Sequence, residues 1–121
     1  MRDIKFRAFE KSLGMTLPVD AIDFCENYVV VHIEDNYMEW YLNDAILEQY
    51  TGLKDAEDVE IYENDVIETF DGIRGYVAFE DGTFSIRIDD MSAPLSNYLI
   101  FGDLSADVIG NIHQNPELLE E

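Results

Sequence analysis

The densest run of potentially reactive side chains lies between residues 55 and 71. Asp55, Glu57, Asp58, Glu60, Glu63, Asp65, Glu68 and Asp71 place eight carboxylates in seventeen positions, with no Lys or Arg among them. Carboxylates this close together first suggest a calcium loop. An EF-hand loop needs oxygens at alternating positions, Gly at the sixth and Glu at the twelfth. Counted from Asp55, the sixth residue is Glu60 and the twelfth is Val66, so the pattern fails. The expectation is a solvated acidic face that forms a candidate interaction surface, with no metal bound.

Other chemistry is sparse. His32 and His113 fall in separate predicted strands, with no Cys, His or Glu at zinc-ligand spacing. Cys25, between Phe24 and Glu26, has no cationic sequence neighbour to stabilise a thiolate, and reads as an inert thiol, buried or half-buried. Gly72-Ile73-Arg74-Gly75 lies between strands rather than ahead of a helix, so it is no phosphate loop, and no Ser sits in a nucleophile elbow. Asp89 and Asp90 would point to opposite faces of a strand. No cofactor is expected, and the chain reads as a non-enzyme. The alternative is a small-molecule binder or enzyme whose pocket lies beside the C-terminal segment. Tyr28, Tyr37, Trp40, Tyr41 and Tyr76 would line that pocket.

The charge balance narrows the partners. The 121 residues carry 27 acids and 7 bases, a net charge of -20. Arg2, Lys5, Arg7 and Lys11 face only Asp3 and Glu10 in the first eleven residues, which leaves 25 acids and 3 bases beyond them. Nucleic-acid binding rests on Lys and Arg neutralising phosphates, so direct binding is excluded, and an anionic membrane surface is disfavoured for the same reason. The hydrophobic fraction of 47% and aromatic fraction of 12% belong to a folded domain rather than an acidic tail. No apolar run approaches the roughly 18 residues of a membrane span. With a single cysteine and no apolar leader, a cytoplasmic setting is expected.

The elements that must position these groups are mainly strands. Ile4, Phe6 and Ala8 alternate with Lys5 and Arg7, the period of a half-buried strand with a basic outer face. Lys5 and Arg7 are therefore candidates for self-association, against an acidic neighbour in a homo-oligomer. Met15 to Val19 forms a second strand in which Pro18 marks an edge or an end. Asn27 to Ile33 is a β-branched strand, followed by a turn at Glu34-Asp35-Asn36. Residues 37–47 read equally as strand or as the start of a short helix. Glu48 to Thr51 is a strand closed by Gly52. Val66 to Ile88 contains two hairpins in series, with turns at Asp71-Gly72 and Asp81-Gly82. Leu95 to Phe101 is a strand or a turn of helix, and Val108 to Ile112 is a last strand. Asn115-Pro116-Glu117 starts a short C-terminal helix. The fold class is mainly β, a small antiparallel barrel or sandwich with a hairpin meander and one or two short helices, in one domain over 1–121.

Three stretches resemble the YopX family of bacteriophage and prophage proteins. They are Ile4 to Phe9, Gln49 to Asp55, and Val108 to Ile112 running into Asn115 to Leu119. The middle stretch continues as Glu60-Ile61-Tyr62-Glu63-Asn64-Asp65-Val66, similar to the family's acidic "EIYEGD" segment. The chain has Phe9 and His113 where the family usually has Trp and Tyr, and it has Ala56-Glu57-Asp58 and Asn64 at Gly-containing turns. Asn tolerates left-handed backbone, so Asn64 preserves its turn. The resemblance implies a β-rich fold, a phage or prophage origin and self-association, with no established reaction. Within the central motif each residue also has a packing role: Tyr50 and Leu53 as core anchors, Gly52 as a turn, Asp55 as an acceptor for local amides. The functional expectation is a non-catalytic protein that engages a basic protein partner through its acidic surface. In its sharpest form it mimics nucleic acid and inhibits a nucleic-acid-binding protein.

Overall fold

Burial alternates most clearly along residues 28–33 and 36–41, where one side chain in two turns inward. The computed structural model describes residues 3–100 and 103–120, in two compact units of residues 3–49 and 50 onward.

In the first unit, β1 (Phe6–Glu10), β2 (Met15–Asp23), β3 (Tyr28–Ile33), β4 (Asn36–Tyr41) and the start of β5 (Ala45–Lys54) form an antiparallel sheet in the order β4-β3-β2-β1-β5. Residues 37–47 are thus strand, turn and strand, with no helix. The decisive feature is the two-residue loop between Ile33 and Asn36, which sets the β3–β4 register. Pro18 lies inside β2 rather than at its end. It closes the ladder with β1, opposite Arg7, and the ladder with β3 opens at Val19. A residue without an N–H is tolerated where a strand changes partner. Ala8, Leu17, Val29, Val31, Trp40 and Ala45 form the core of this unit.

The second unit contains the end of β5, β6 (Glu60–Tyr62), β7 (Asp65–Thr69), β8 (Arg74–Glu80), β9 (Thr83–Ile88), β10 (Met91–Pro94) and β13 (Ala106–Asn111). β7 to β10 and β13 make an antiparallel sheet in the order β10-β9-β8-β7-β13, and β11 (Leu99–Ile100) and β12 (Asp103–Leu104) pair with each other. Gly52 does not end β5. With φ at 86° it sits inside an irregularity between Tyr50 and Lys54, so the strand bends and continues. Asp81 (φ 51°) and Gly82 (φ 79°) supply the left-handed pair of the β8–β9 hairpin turn. Ile61, Ile67, Val77, Ile86, Leu95 and Ala106 form the core. Withdrawing each of the large aliphatic side chains from water contributes about 1.5–3 kcal/mol.

The architecture is mostly β, in open antiparallel sheets; neither sheet closes, so the barrel alternative does not hold. Leu95–Tyr98 is a single 3₁₀ turn, and the C-terminal segment forms only another, Pro116–Leu119. Asn115 does not cap it. Its Oδ1 accepts the Asn111 N–H at 3.3 Å instead, so the side chain ties the turn back to β13. The predicted strand end at Phe101 lies outside the described residues.

Candidate functional site

The acidic stretch 55–71 does not form one surface, because its members have different tasks. Asp55 is 3% exposed. Its Oδ1 accepts the N–H groups of Glu57 and Val59, both at 2.8 Å, and its Oδ2 accepts that of Val108 at 2.9 Å. One carboxylate thereby holds its own loop and fastens it to β13. Asp65, 2% exposed, accepts the Tyr62 N–H at 2.8 Å across the β6–β7 turn. In the two places where the sequence lacks the family's turn glycines, Asp58 and Asn64 adopt φ of 67° and 70°. Asn64 does preserve its turn.

The other members lie further out. Glu57, Asp58 and Asp71 are exposed, while Glu60, Glu63 and Glu68 are half-buried. Glu68 Oε2 is 2.7 Å from Arg74 Nε, Asp58 is 3.5 Å from Lys54 Nζ, and Asp71 accepts the Thr69 hydroxyl. The central family motif is likewise structural. Tyr50 and Thr51 are buried, the Thr51 hydroxyl donates to the Ile61 carbonyl at 2.8 Å, and Leu53 packs on the core.

Of the two candidate self-association residues, Lys5 is exposed and Arg7 is committed internally. Arg7 Nε lies 2.7 Å from Oε1 of Glu48, a carboxylate only 1% exposed. Glu10 is also occupied. Its carboxylate accepts the Ser12 hydroxyl at 2.7 Å and the Ser12 and Leu13 N–H groups at 3.0 Å, which shapes the β1–β2 turn. The Ser12 hydroxyl, its amide and that of Leu13 hold the Glu10 carboxyl below its ordinary range, while burial opposes them.

Cys25 departs from expectation. It is exposed, in the β2–β3 turn beside Phe24, because Asp23 Oδ1 accepts the Cys25 and Glu26 N–H groups and turns the chain outward. His32 Nδ1 is 2.7 Å from Asp20 Oδ2, and His113 Nε2 is 3.4 Å from Asn64 Nδ2. Asp89 and Asp90 occupy the exposed β9–β10 turn instead of opposite faces of a strand. No group of three metal-ligating side chains occurs among the described residues.

The proposed aromatic pocket is not assembled. Trp40 is core, while Tyr37 and Tyr41 are exposed. Tyr76 alone of the five lines a groove of about 400 Å³, together with Arg74, Arg87, Leu118 and Leu119. Gly110 lets this C-terminal wall approach β13, since a Cβ there would lie 2.6 Å from Asn115 Oδ1 and 2.8 Å from Leu118 Cδ1. Both arginines in the groove are held by carboxylates, Arg74 by Glu68 and Arg87 by Glu80 at 2.7 Å. Arg87 consequently titrates above its ordinary value, mainly through its hydrogen bond to Glu80.

A different surface emerges on β2–β4. Residues 12–53 contain eight acids and no Lys or Arg, a signal visible in the sequence but overshadowed by the denser run that follows. Val29, Val31 and Trp40 turn toward the core. The opposite, open face therefore carries Tyr28, His32, Tyr37, Glu39 and Tyr41. Cross-strand rings meet there, Tyr28 with Tyr41 at 6.1 Å and His32 with Tyr37 at 5.7 Å. Glu39 raises the Tyr28 phenol above its ordinary range, aided by burial and by Asp23 and Glu26. At the end of β4 a hollow of about 420 Å³ is lined by Glu39, Trp40, Tyr41 and Asp44 with the β1–β2 turn.

These features define a small antiparallel β protein of two units, whose most constrained carboxylates serve its turns. The sequence profile described as "YopX protein" matches residues 5–120, and the chain belongs to the YopX family. Its structure is similar to the crystal structure of protein EF1440 from Enterococcus faecalis, with a TM-score of 0.68 and 27% sequence identity over 99% of this chain and 100% of that one. No curated protein matches the chain. Among the described residues no helix is long and apolar enough to cross a membrane.

Proposed function

We propose that this chain is a non-catalytic interaction protein of phage or prophage origin, whose acidic surface engages a basic protein in the bacterial cytoplasm. The observation that carries this reading is the set of six exposed carboxylates, Asp20, Glu26, Glu34, Asp35, Glu39 and Asp44, in the base-free stretch 12–53. Lys54, Arg74 and Arg87, the bases that follow, each lie beside an acid of the chain itself. A fixed array of carboxylates attracts cationic partners and steers their approach. In the sharpest form of the proposal the partner is a nucleic-acid-binding protein, whose phosphate groove the carboxylates occupy and block. Pull-down of basic proteins followed by a salt titration tests this. Affinity should fall steeply between low and high salt, and a partner whose affinity ignores salt would refute the reading.

A second reading, a small-molecule site, is favoured by one observation: the groove between β8, β9 and the C-terminal turn. A shift of several degrees in melting temperature with one compound, abolished by Tyr76→Ala, would place it first.

A further inference from the structure

The outer strand β4 combines three properties on few residues. Among the described residues it is an edge, paired on one side only. Its loop to β3 has two residues, so the closing pair Ile33 and Asn36 is hydrogen-bonded, and pairs alternate from there. The Leu42 N–H donating to the Asn27 carbonyl at 2.9 Å continues this alternation. Tyr37, Glu39 and Tyr41 thus fall in non-bonded pairs with β3, and their backbone groups face the free edge. The Tyr41 carbonyl accepts the Asp44 N–H at 3.0 Å. Among the described residues nothing pairs with the N–H groups of all three or with the carbonyls of Tyr37 and Glu39, which are left for another strand. The same three side chains stand on the open face, Tyr37 and Tyr41 being 68% and 57% exposed.

We propose that the free edge of β4 is a docking site for an extended segment of a basic protein, carrying Lys or Arg at alternate positions. Backbone pairing would supply the register, as in other strand additions. Cationic side chains on the face shared with Tyr37, Glu39 and Tyr41 would meet phenol rings and a carboxylate, which favour cations by cation–π and Coulomb attraction. The hollow bounded by Glu39 and Asp44 receives one such side chain at the end of β4. A second copy of this chain is the poorer occupant. Antiparallel self-pairing centred on β4 brings the two Glu39 carboxylates together, and a charged residue at mid-edge is a usual device against self-association.

The proposal rests on the preceding reading that the acidic surface binds a basic protein, and assigns the place. The probe is a synthetic eight-residue peptide of alternating Lys and Thr, compared with its Glu–Thr twin and with a version N-methylated at alternate residues. Trp40, the only tryptophan, lies in β4 and reports binding by fluorescence, while amide shifts map the site. The Lys–Thr peptide should perturb β3 and β4, and should weaken with salt. The Glu–Thr peptide should not bind. N-methylation, and separately Glu39→Lys in the protein, should each weaken binding at least tenfold. Glu39→Gln, which adds no charge, should weaken it severalfold with an unchanged melting temperature. Peptide binding that ignores both Glu39 variants, or amide shifts centred on 55–71, overturns the β4 site but leaves the wider reading standing. A dimer abolished by Tyr37→Lys would show a second copy to be the occupant and also overturns it. Failure of every basic protein in the pull-down instead removes the wider reading.

Discussion

Two acid-rich regions of this chain, residues 55–71 and the base-free stretch 12–53, use carboxylates in opposite ways. In the first, Asp55 and Asp65 are buried against backbone amides, Glu68 holds Arg74, and Asp58 lies beside Lys54. In the second, Glu48 is buried against Arg7 and Asp23 accepts two turn amides, but Glu39 remains on an open face with Tyr28, Tyr37 and Tyr41. The region with more acid per residue is the one whose acids most serve the fold. A carboxylate near several unpaired N–H groups becomes an acceptor, because buried amides left unsatisfied are costly. A carboxylate on a sheet face, with its own backbone already directed into or away from a ladder, has no amide to reach. It stays at the surface, where Glu39 meets the Tyr28 phenol.

The sharpest way to break this contrast is Asp55→Ala. It removes one acceptor from three N–H groups, and a loss of about 3–5 kcal/mol of stability is expected in urea unfolding. A loss below about 1 kcal/mol would mean that the loop satisfies those amides otherwise. Glu48→Ala tests whether burial rather than region decides the role. Leaving Arg7 half-buried opposite a vacancy should cost about 3 kcal/mol, although Glu48 lies in the stretch with the open face. A value near zero would show the pair to be incidental.

Glu10, at the β1–β2 turn, responds to pH. Its folded-state carboxyl is held below the ordinary value of 4.5, so its contribution is present above that pH and is lost as pH falls through the lowered value. Glu10→Gln should therefore lower the melting temperature at neutral pH and narrow the gap to the unmodified chain in acid. Parallel curves at all pH values would contradict the assignment. The smallest effect is expected at Glu39. Glu39→Gln should change stability by no more than about 0.5 kcal/mol. It should also bring the Tyr28 phenol down toward its ordinary pKa of 10.0, as read by ultraviolet titration. An unmoved phenol would mean that Glu39 does not dominate this face.

The sequence alone determined the mainly β class, the two hairpins at Asp71-Gly72 and Asp81-Gly82, the turn at Asn64 and the family, but not the short strands Glu60–Tyr62 and Met91–Pro94. All of these rest on local signals: two-residue periodicity, residues that tolerate positive φ, and a distinctive motif. Where local signals compete, context decided. Gly52 reads as a strand end, yet β5 continues through it because both sides of the irregularity find partners. Residues 37–47 suit either state by propensity, and the β3 ladder made the first part a strand. Asn115 has the type and position of a helix cap, but its side chain went to β13, and only one 3₁₀ turn formed. Cys25 has a core residue's character and stands exposed, because Asp23 organises a tight turn around it. Most of all, the count of acids was legible and their assignment was not. Whether a carboxylate meets an amide, an arginine or solvent depends on residues far away in sequence, such as Val108 for Asp55 and Arg7 for Glu48. Only the tertiary structure brings those together.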